Sequence, residues 1–292
     1  MAELKPGGIT IRLDQGIVLN GEDCTIEDIY QIAYKQVPVY VADECWTRVR
    51  QAREVVNRML ALEEPVYGLN TGLGSLKKFS LSADELGVFN RDVILSHSVP
   101  MDTQPLGIAS VRAVMASRIN GLIRGGTGVR PELVQMLVDM LNRGVYPIVH
   151  GRCVSVGESD LSPLAEIGLV MIGEGNAFYQ GQLISGREAL TRAGLHPLVL
   201  QPKEGLGLIS ANAHSVGSGA LAIYEARQLI MGFEQAATLS MEAFRANLNI
   251  LHPHSIAARR FNGQQQSARH LRSMLFGSDY SSQGWPATCK IR

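Results

Sequence analysis

Val154-Ser155-Val156-Gly157-Glu158-Ser159-Asp160-Leu161-Ser162-Pro163 joins a stretch punctuated by proline and glycine to an apolar run. Read locally, it is a helix start. Ser159 or Asp160 suits the N-cap, because a short side-chain oxygen accepts a hydrogen bond from an amide of the first turn. Pro163 is tolerated in that turn, where its missing N–H has no intrahelical acceptor. An apolar helix from Leu161 to Gly173 follows. A helix N-terminus also welcomes an anion or partial negative charge, so the same stretch is suited to carry chemistry.

Composition narrows the partners. The chain has 292 residues, and 46% hydrophobic content is ample for a sizeable core. Its 27 basic residues balance 27 acidic ones, and no block of like charge advertises nucleic acid or an anionic membrane. A small molecule or another protein is the expected partner. Cys24, Cys45, Cys153 and Cys289 lack metal-ligand spacing, and Met1-Ala2-Glu3-Leu4-Lys5 opens no apolar signal segment. These features fit a cytoplasmic protein with free thiols and no metal. Cys153, beside the organising stretch, is read as a buried bystander. His252 and His254 fall short of a ligand set. No apolar run is long enough to span a bilayer without interruption.

Along the chain, Gly8 to Asn20 alternates apolar and polar residues and predicts a hairpin. Thr25 opens a capping box with Asp28, followed by Ile26, Ile29, Ile32 and Ala33 at helical spacing. Further helices are predicted at Asp43 to Leu62, from the capping box of Ser82 and Glu85 to about His97, at Leu106 to Leu122, and at Pro131 to Asn142 with Gly144 as its stop. Arg187 to Ala193 predicts a short helix. Asn212 to Leu248 predicts a long one, apolar nearly all round, which belongs inside a bundle. Pro65-Val66-Tyr67-Gly68-Leu69-Asn70-Thr71-Gly72-Leu73-Gly74 carries three glycines in seven residues and reads as a tight or mobile loop.

Several of these stretches resemble the aromatic amino acid ammonia-lyases, the histidine and phenylalanine ammonia-lyase family. The family carries Tyr-Gly-x-Asn-Thr-Gly-Phe-Gly where this chain has Tyr67 to Gly74, and Ser-Val-Gly-Ala-Ser-Gly-Asp-Leu where it has Ser155 to Leu161. Leu95-Ser96-His97 and Lys203-Glu204-Gly205-Leu206 match further segments, and Arg259 to Gln264 resembles a family turn. The resemblance runs from about Leu19 to Asp279 and covers the first part of the family's length. It implies a mainly α fold, a long-helix bundle of the fumarase/aspartase-like type with a small N-terminal α/β cap. A cap over 1–150 and the first part of the bundle over 151–292 are the implied domains.

By that resemblance Tyr67 is the catalytic base, His97 lies beside the substrate's ring, and Asn70 belongs to the substrate-binding loop. In the family the Ala-Ser-Gly triplet cyclises into a methylidene-imidazolone. Here Glu158 replaces the Ala, Ser159 is kept, and no Gly follows before Asp160. Cyclisation needs a close approach of backbone to backbone that a residue without Cβ allows best. The family Asn that orients the group has become Ser210, with Asn212 two residues on. No cofactor is therefore expected, and the imidazolone is disfavoured at Ser159. Ser210, Asn212 and Glu158 are assigned to substrate binding.

The implied activity is a carbon–nitrogen elimination from a histidine-like or other aromatic amino acid, without the electrophile when the nitrogen already leaves readily, as in a betaine such as ergothioneine. A conventional ammonia-lyase with altered cyclisation is one alternative, and a noncatalytic partner subunit is another. Family active sites are shared between subunits of a tetramer. A second chain supplying further helices, or a homo-oligomer, is accordingly expected.

Overall fold

The computed structural model describes residues 16–62, 64–100, 104–151 and 160–278. The chain forms two units, Met1–Ala222 and Ile223–Arg292; the boundary at 150 suggested by the sequence falls within the first. Glu158, Ser159, Cys153 and Cys289 lie outside the described residues, as does the first half of the expected hairpin.

In the first unit, β1 (Ile17–Leu19) pairs in parallel with β2 (Val39–Val41). Parallel pairing needs a crossover, and α1 (Ile26–Tyr34) supplies it. The capping box of α1 is present as expected: Thr25 and Asp28 satisfy each other's backbone amides. Then come α2 (Asp43–Ala61), α3 (Ala83–His97) with the Ser82 and Glu85 box, α4 (Ile108–Leu122) and α5 (Pro131–Arg143). Pro131 starts α5 and Gly144, at φ 76°, ends it in the left-handed conformation that glycine adopts without strain.

β3 (Tyr146–Pro147) leads toward α6 (Leu161–Met171), and β4 (Asn176–Tyr179) with β5 (Gln182–Ser185) completes a three-stranded antiparallel sheet. The β4–β5 turn, Gln180-Gly181, has positive φ at both residues, the geometry that suits the twist of a two-residue hairpin. α7 (Gly186–Arg192) and α8 (Glu204–Ile209) precede α9 (Ala213–Ala243), which runs across the boundary between units.

The core of the first unit packs α4, α5 and α6: Val114, Met115, Ile119, Leu133, Leu137, Met140, Leu141 and Leu164 are all fully buried. Two arginines lie inside it. Arg112 is 2% exposed and donates to the carbonyls of Ile32 (2.7 Å) and Leu141 (2.9 Å) and to the Tyr146 hydroxyl (2.8 Å). Its guanidinium also stacks 5.3 Å from the centre of the Tyr146 ring. Arg118 donates to the carbonyls of Gly207 and Leu208 at the end of α8. Burial pulls its guanidinium down to about 10, still charged at neutral pH. Both side chains turn carbonyls that helices and loops leave unpaired into partners of a cation.

The second unit contains α10 (Pro253–Ala257) and α11 (Asn262–Met274), joined around Leu251, Ile256, Ala268 and Leu275. Within α9 it leaves Leu229, Ile230, Phe233 and Leu239 outward, Phe233 at 66% and Leu239 at 72% exposure. No helix of the described residues is long and apolar enough to cross a membrane, and no three potential ligands gather as a metal site among them.

Replacing Arg112 by Met should lower unfolding stability by about 3 kcal/mol, since two buried carbonyls and the half-buried Tyr146 hydroxyl lose their donor at about 1 kcal/mol or more each. Urea denaturation of variant and parent measures it, with Arg50→Met on the surface as the control near zero.

Candidate active site

Tyr67 lies on the loop between α2 and α3. Leu69 is 2% exposed and anchors that loop, while Tyr67 itself is 52% exposed. The Tyr67 hydroxyl oxygen accepts the Gly74 N–H at 3.2 Å, so the loop's own backbone presents a donor to the phenolic oxygen. Asn70, predicted to touch substrate, spends its side chain on the loop: Oδ1 accepts the Val66 N–H (2.7 Å) and Nδ2 donates to the Glu64 carbonyl (2.8 Å). These bonds hold the turn that carries Tyr67.

The loop rests on α8 through glycine. Gly68 has φ 65°, and a Cβ there would come within 2.3 Å of Leu206 Cδ2. Only a residue without a side chain allows both the backbone angle and the approach. One residue earlier on α8, the Gly205 N–H donates to Asn90 Oδ1 of α3 at 2.9 Å, and a Cβ would sit 2.5 Å from the Asn90 carbonyl oxygen. On α6, Gly168 faces Ile94 of α3 and Leu208 of α8 at similar range. Thus α3, α6 and α8 meet at glycines, and three stretches singled out in the sequence converge.

His97 ends α3. Its Nδ1 lies 2.8 Å from the Val93 carbonyl oxygen, one turn back, and 3.2 Å from Ser96 Oγ. Two residues on, the Val99 N–H donates to Ser162 Oγ in the first turn of α6 (3.0 Å), which brings this end of α3 against the start of α6.

Asp160 occupies the N-cap position of α6, as the sequence suggested, but makes no side-chain bond to that helix. Its carboxylate reaches α9 instead: Oδ2 accepts the Ser215 N–H (2.8 Å) and Oδ1 the Ser215 hydroxyl (2.6 Å). His214 Nδ1 stands 3.6 Å from the same Oδ1. Asp160 is 7% exposed, so the negative end of one helix's cap satisfies the amide end of another. Ser210, which follows α8 directly as its C-cap, and Asn212, just ahead of α9, lie near this joint and are both exposed. Among the described residues no hydrogen bond links Tyr67, His97, Ser210 and Asn212 to one another; backbone packing brings their elements together.

The segment before α8 is held by a second buried carboxylate. Glu204, fully buried, accepts from the Arg130 backbone N–H (3.0 Å), Nε (2.8 Å) and Nη2 (2.8 Å), and from the Gln201 N–H (2.8 Å). Bonding to Glu204 holds the Arg130 guanidinium above its usual range. Lys203, between them in sequence, takes φ 81°, a left-handed backbone rare for a residue with a Cβ, and burial pushes its ammonium down. Sequence reading matched this segment without seeing its partner, because Arg130 lies 74 residues away.

With this geometry in hand, a family model for aromatic amino acid lyases matches residues 24–290. This chain belongs to that family. Histidine ammonia-lyase from Alkaliphilus metalliredigens is 37% identical over 262 residues, and that from Myxococcus xanthus 38% over 264, each match covering 90% of this chain and 52% of the relative. Among solved structures, ergothionase from Treponema denticola, in complex with desmethyl-ergothioneine sulfonic acid, superposes with TM-score 0.86 at 31% identity, over 94% of this chain and 55% of that one. Histidine ammonia-lyase from Trypanosoma cruzi superposes with TM-score 0.80 at 30% identity, over 88% of this chain and 49% of that one. The chain thus has the helical fold of the ammonia-lyases and spans about half the length of the relatives it matches.

Asp160→Ala should cost about 2 kcal/mol, from the loss of two charge-assisted hydrogen bonds to Ser215. Hydrogen exchange at residues 213–217 should accelerate by at least about tenfold while α5 amides stay protected; unchanged exchange there would mean that α9 does not depend on this carboxylate.

Proposed function

We propose that this chain is the base-bearing part of a carbon–nitrogen lyase that works without an imidazolone and eliminates a tertiary amine from the betaine of a histidine-like amino acid, ergothioneine being the leading candidate. The carrying observation is at Asp160. Read forward from Ser155-Val156-Gly157, Ser159 stands at the family's Ser and Asp160 where its Gly should be. Read backward from Asp160-Leu161, Ser159 stands at the Gly and Glu158 at the Ser. Neither register ends the triplet in glycine. In the first, the ring nitrogen would come from Asp160, whose backbone is helical (φ −80°, ψ −11°) and whose buried carboxylate is committed to Ser215. A strained turn at that residue would break both bonds. In this reading the residues do not fit the prosthetic group, and no step passes through it.

A trimethylammonium leaves without electrophilic help, so a base is enough. Tyr67, as phenolate, takes the β-proton; the C–H electron pair forms the Cα=Cβ bond, the C–N bond breaks, and its pair departs on trimethylamine. The Gly74 N–H reaches the Tyr67 oxygen at 3.2 Å and orients it. Glu158 is assigned to the quaternary ammonium, which offers no hydrogen-bond donor and is held by charge. His97 is assigned to the ring side of the substrate. The likeness to ergothionase supports this choice of substrate. The outward apolar residues of α9 support an assembly in which another polypeptide, or further copies of this one, covers that helix.

A second reading is favoured by the curated relatives: a conventional histidine ammonia-lyase cyclised at Ser159. Intact mass separates the two, since cyclisation with dehydration removes two waters. The expected result is an unmodified chain in an assembly heavier than the monomer, releasing trimethylamine from ergothioneine and no ammonia from histidine. Tyr67→Phe should lower kcat by at least about a hundredfold, the usual scale for loss of a general base. A mass short by two waters, or full activity in Tyr67→Phe, would overturn the proposal, the latter in favour of a noncatalytic subunit.

A further inference from the structure

Glu166 and His150 form a buried ionisable pair that the elimination above does not use. Glu166 Oε2 accepts the His150 backbone N–H at 2.7 Å, and Oε1 lies 2.6 Å from His150 Nδ1. The side chains are 6% and 15% exposed. A carboxylate is buried to this degree only where charge-assisted bonds replace its water.

His150 is fixed from its other side too. It bridges to Pro105, and the neighbouring Val149 carbonyl accepts the Leu106 N–H at 2.7 Å. A Cβ on Gly151 would meet Leu106 Cδ2 at 3.0 Å, so the backbone there lies directly on that segment. The segment leads straight into α4, whose Arg118 grips the end of α8. On the other side of the pair, Glu166 sits four residues after Ser162, on one face of α6. Ser162 holds Val99, just beyond His97, and Asp160 holds the start of α9.

We propose that Glu166 and His150 are a positioning pair: they set the first turns of α6 against the fixed 149–150 segment, and so place Asp160 and Ser162, from which the ends of α9 and α3 are held. The kinetic part of this rests on the elimination reading; the structural part does not.

The experiment compares Glu166→Ala, Glu166→Gln and the parent in the full assembly. Gln keeps an acceptor for the His150 N–H and offers its own N–H to unprotonated Nδ1, so it should rescue. Arg152 lies in sequence between His150 and α6 and is a trypsin site. In Glu166→Ala, trypsin should cut after Arg152 at least about fivefold faster, with other Lys and Arg sites unchanged. On ergothioneine kcat should fall at least about tenfold at nearly constant KM, as for a misplaced base. Glu166→Gln should return both to within about threefold of the parent. Parent-like cutting at Arg152 in Glu166→Ala, uniformly faster cutting at every site, or no rescue by Gln would overturn the proposal. If Glu166→Ala does not fold, His150→Phe, which removes Nδ1 and keeps the packing, is read by the same cutting pattern with the same outcomes. If the parent turns over no substrate, the elimination reading falls, while the pattern at Arg152 still decides for or against the pair.

Discussion

The contact between Asp160 and Ser215 is the constraint on which the site depends. A carboxylate at the N-cap of α6 reaches the amide end of α9, a helix of 31 residues, through two short bonds made where almost no water reaches. Opposite partial charges meet in a low dielectric, so the joint is strong and directional. It sets where α9 begins, and with that the placement of Asn212 and of Ser210 just ahead of it. It also commits the side chain of the one residue that ring closure, in the forward register, would have to bend.

Around that joint the helices approach through residues that lack bulk. Gly68 lets the tyrosine loop lie on Leu206, Gly205 lets α8 touch the Asn90 backbone, and Gly168 admits Ile94 and Leu208. Buried charge then locks the arrangement. Arg118 holds the carboxyl end of α8, Arg130 with Glu204 holds its start, and Arg112 ties α1, α5 and Tyr146 to α4. Each is expensive to bury alone, and the acceptors each donates to offset that cost. The tyrosine therefore stands exposed on a small turn that rests on these packed helices.

Membership of the aromatic amino acid lyases follows from the match across most of the chain, and the fold agrees with it. The loop at 155–161 departs from the family motif in the residues that make the electrophile, while the tyrosine loop is retained almost intact. That pattern is the ground for the proposed substrate, whose nitrogen leaves readily. The outward apolar side chains of α9 fit the assembly proposed above.

Local physics made much of the chain legible without coordinates. The Thr25 and Ser82 capping boxes, Pro131 and Gly144 at the ends of α5, and the apolar spacing of α1 and α5 all read correctly, because the interactions that decide them lie within four residues. The tyrosine loop was recognisable for the same reason, its glycines and Asn70 acting on their immediate neighbours. Tertiary structure decided the rest. The parallel β1–β2 pair, the pairing of β3 with β4, and the partners of Arg112, Glu166 and Asp160 depend on residues at least 16 apart in sequence. Nothing in the spacing of Asp160 distinguishes capping its own helix from capping α9. That choice belongs to the packed chain, where the Ser215 amide and hydroxyl are both in reach of a carboxylate already shielded from water.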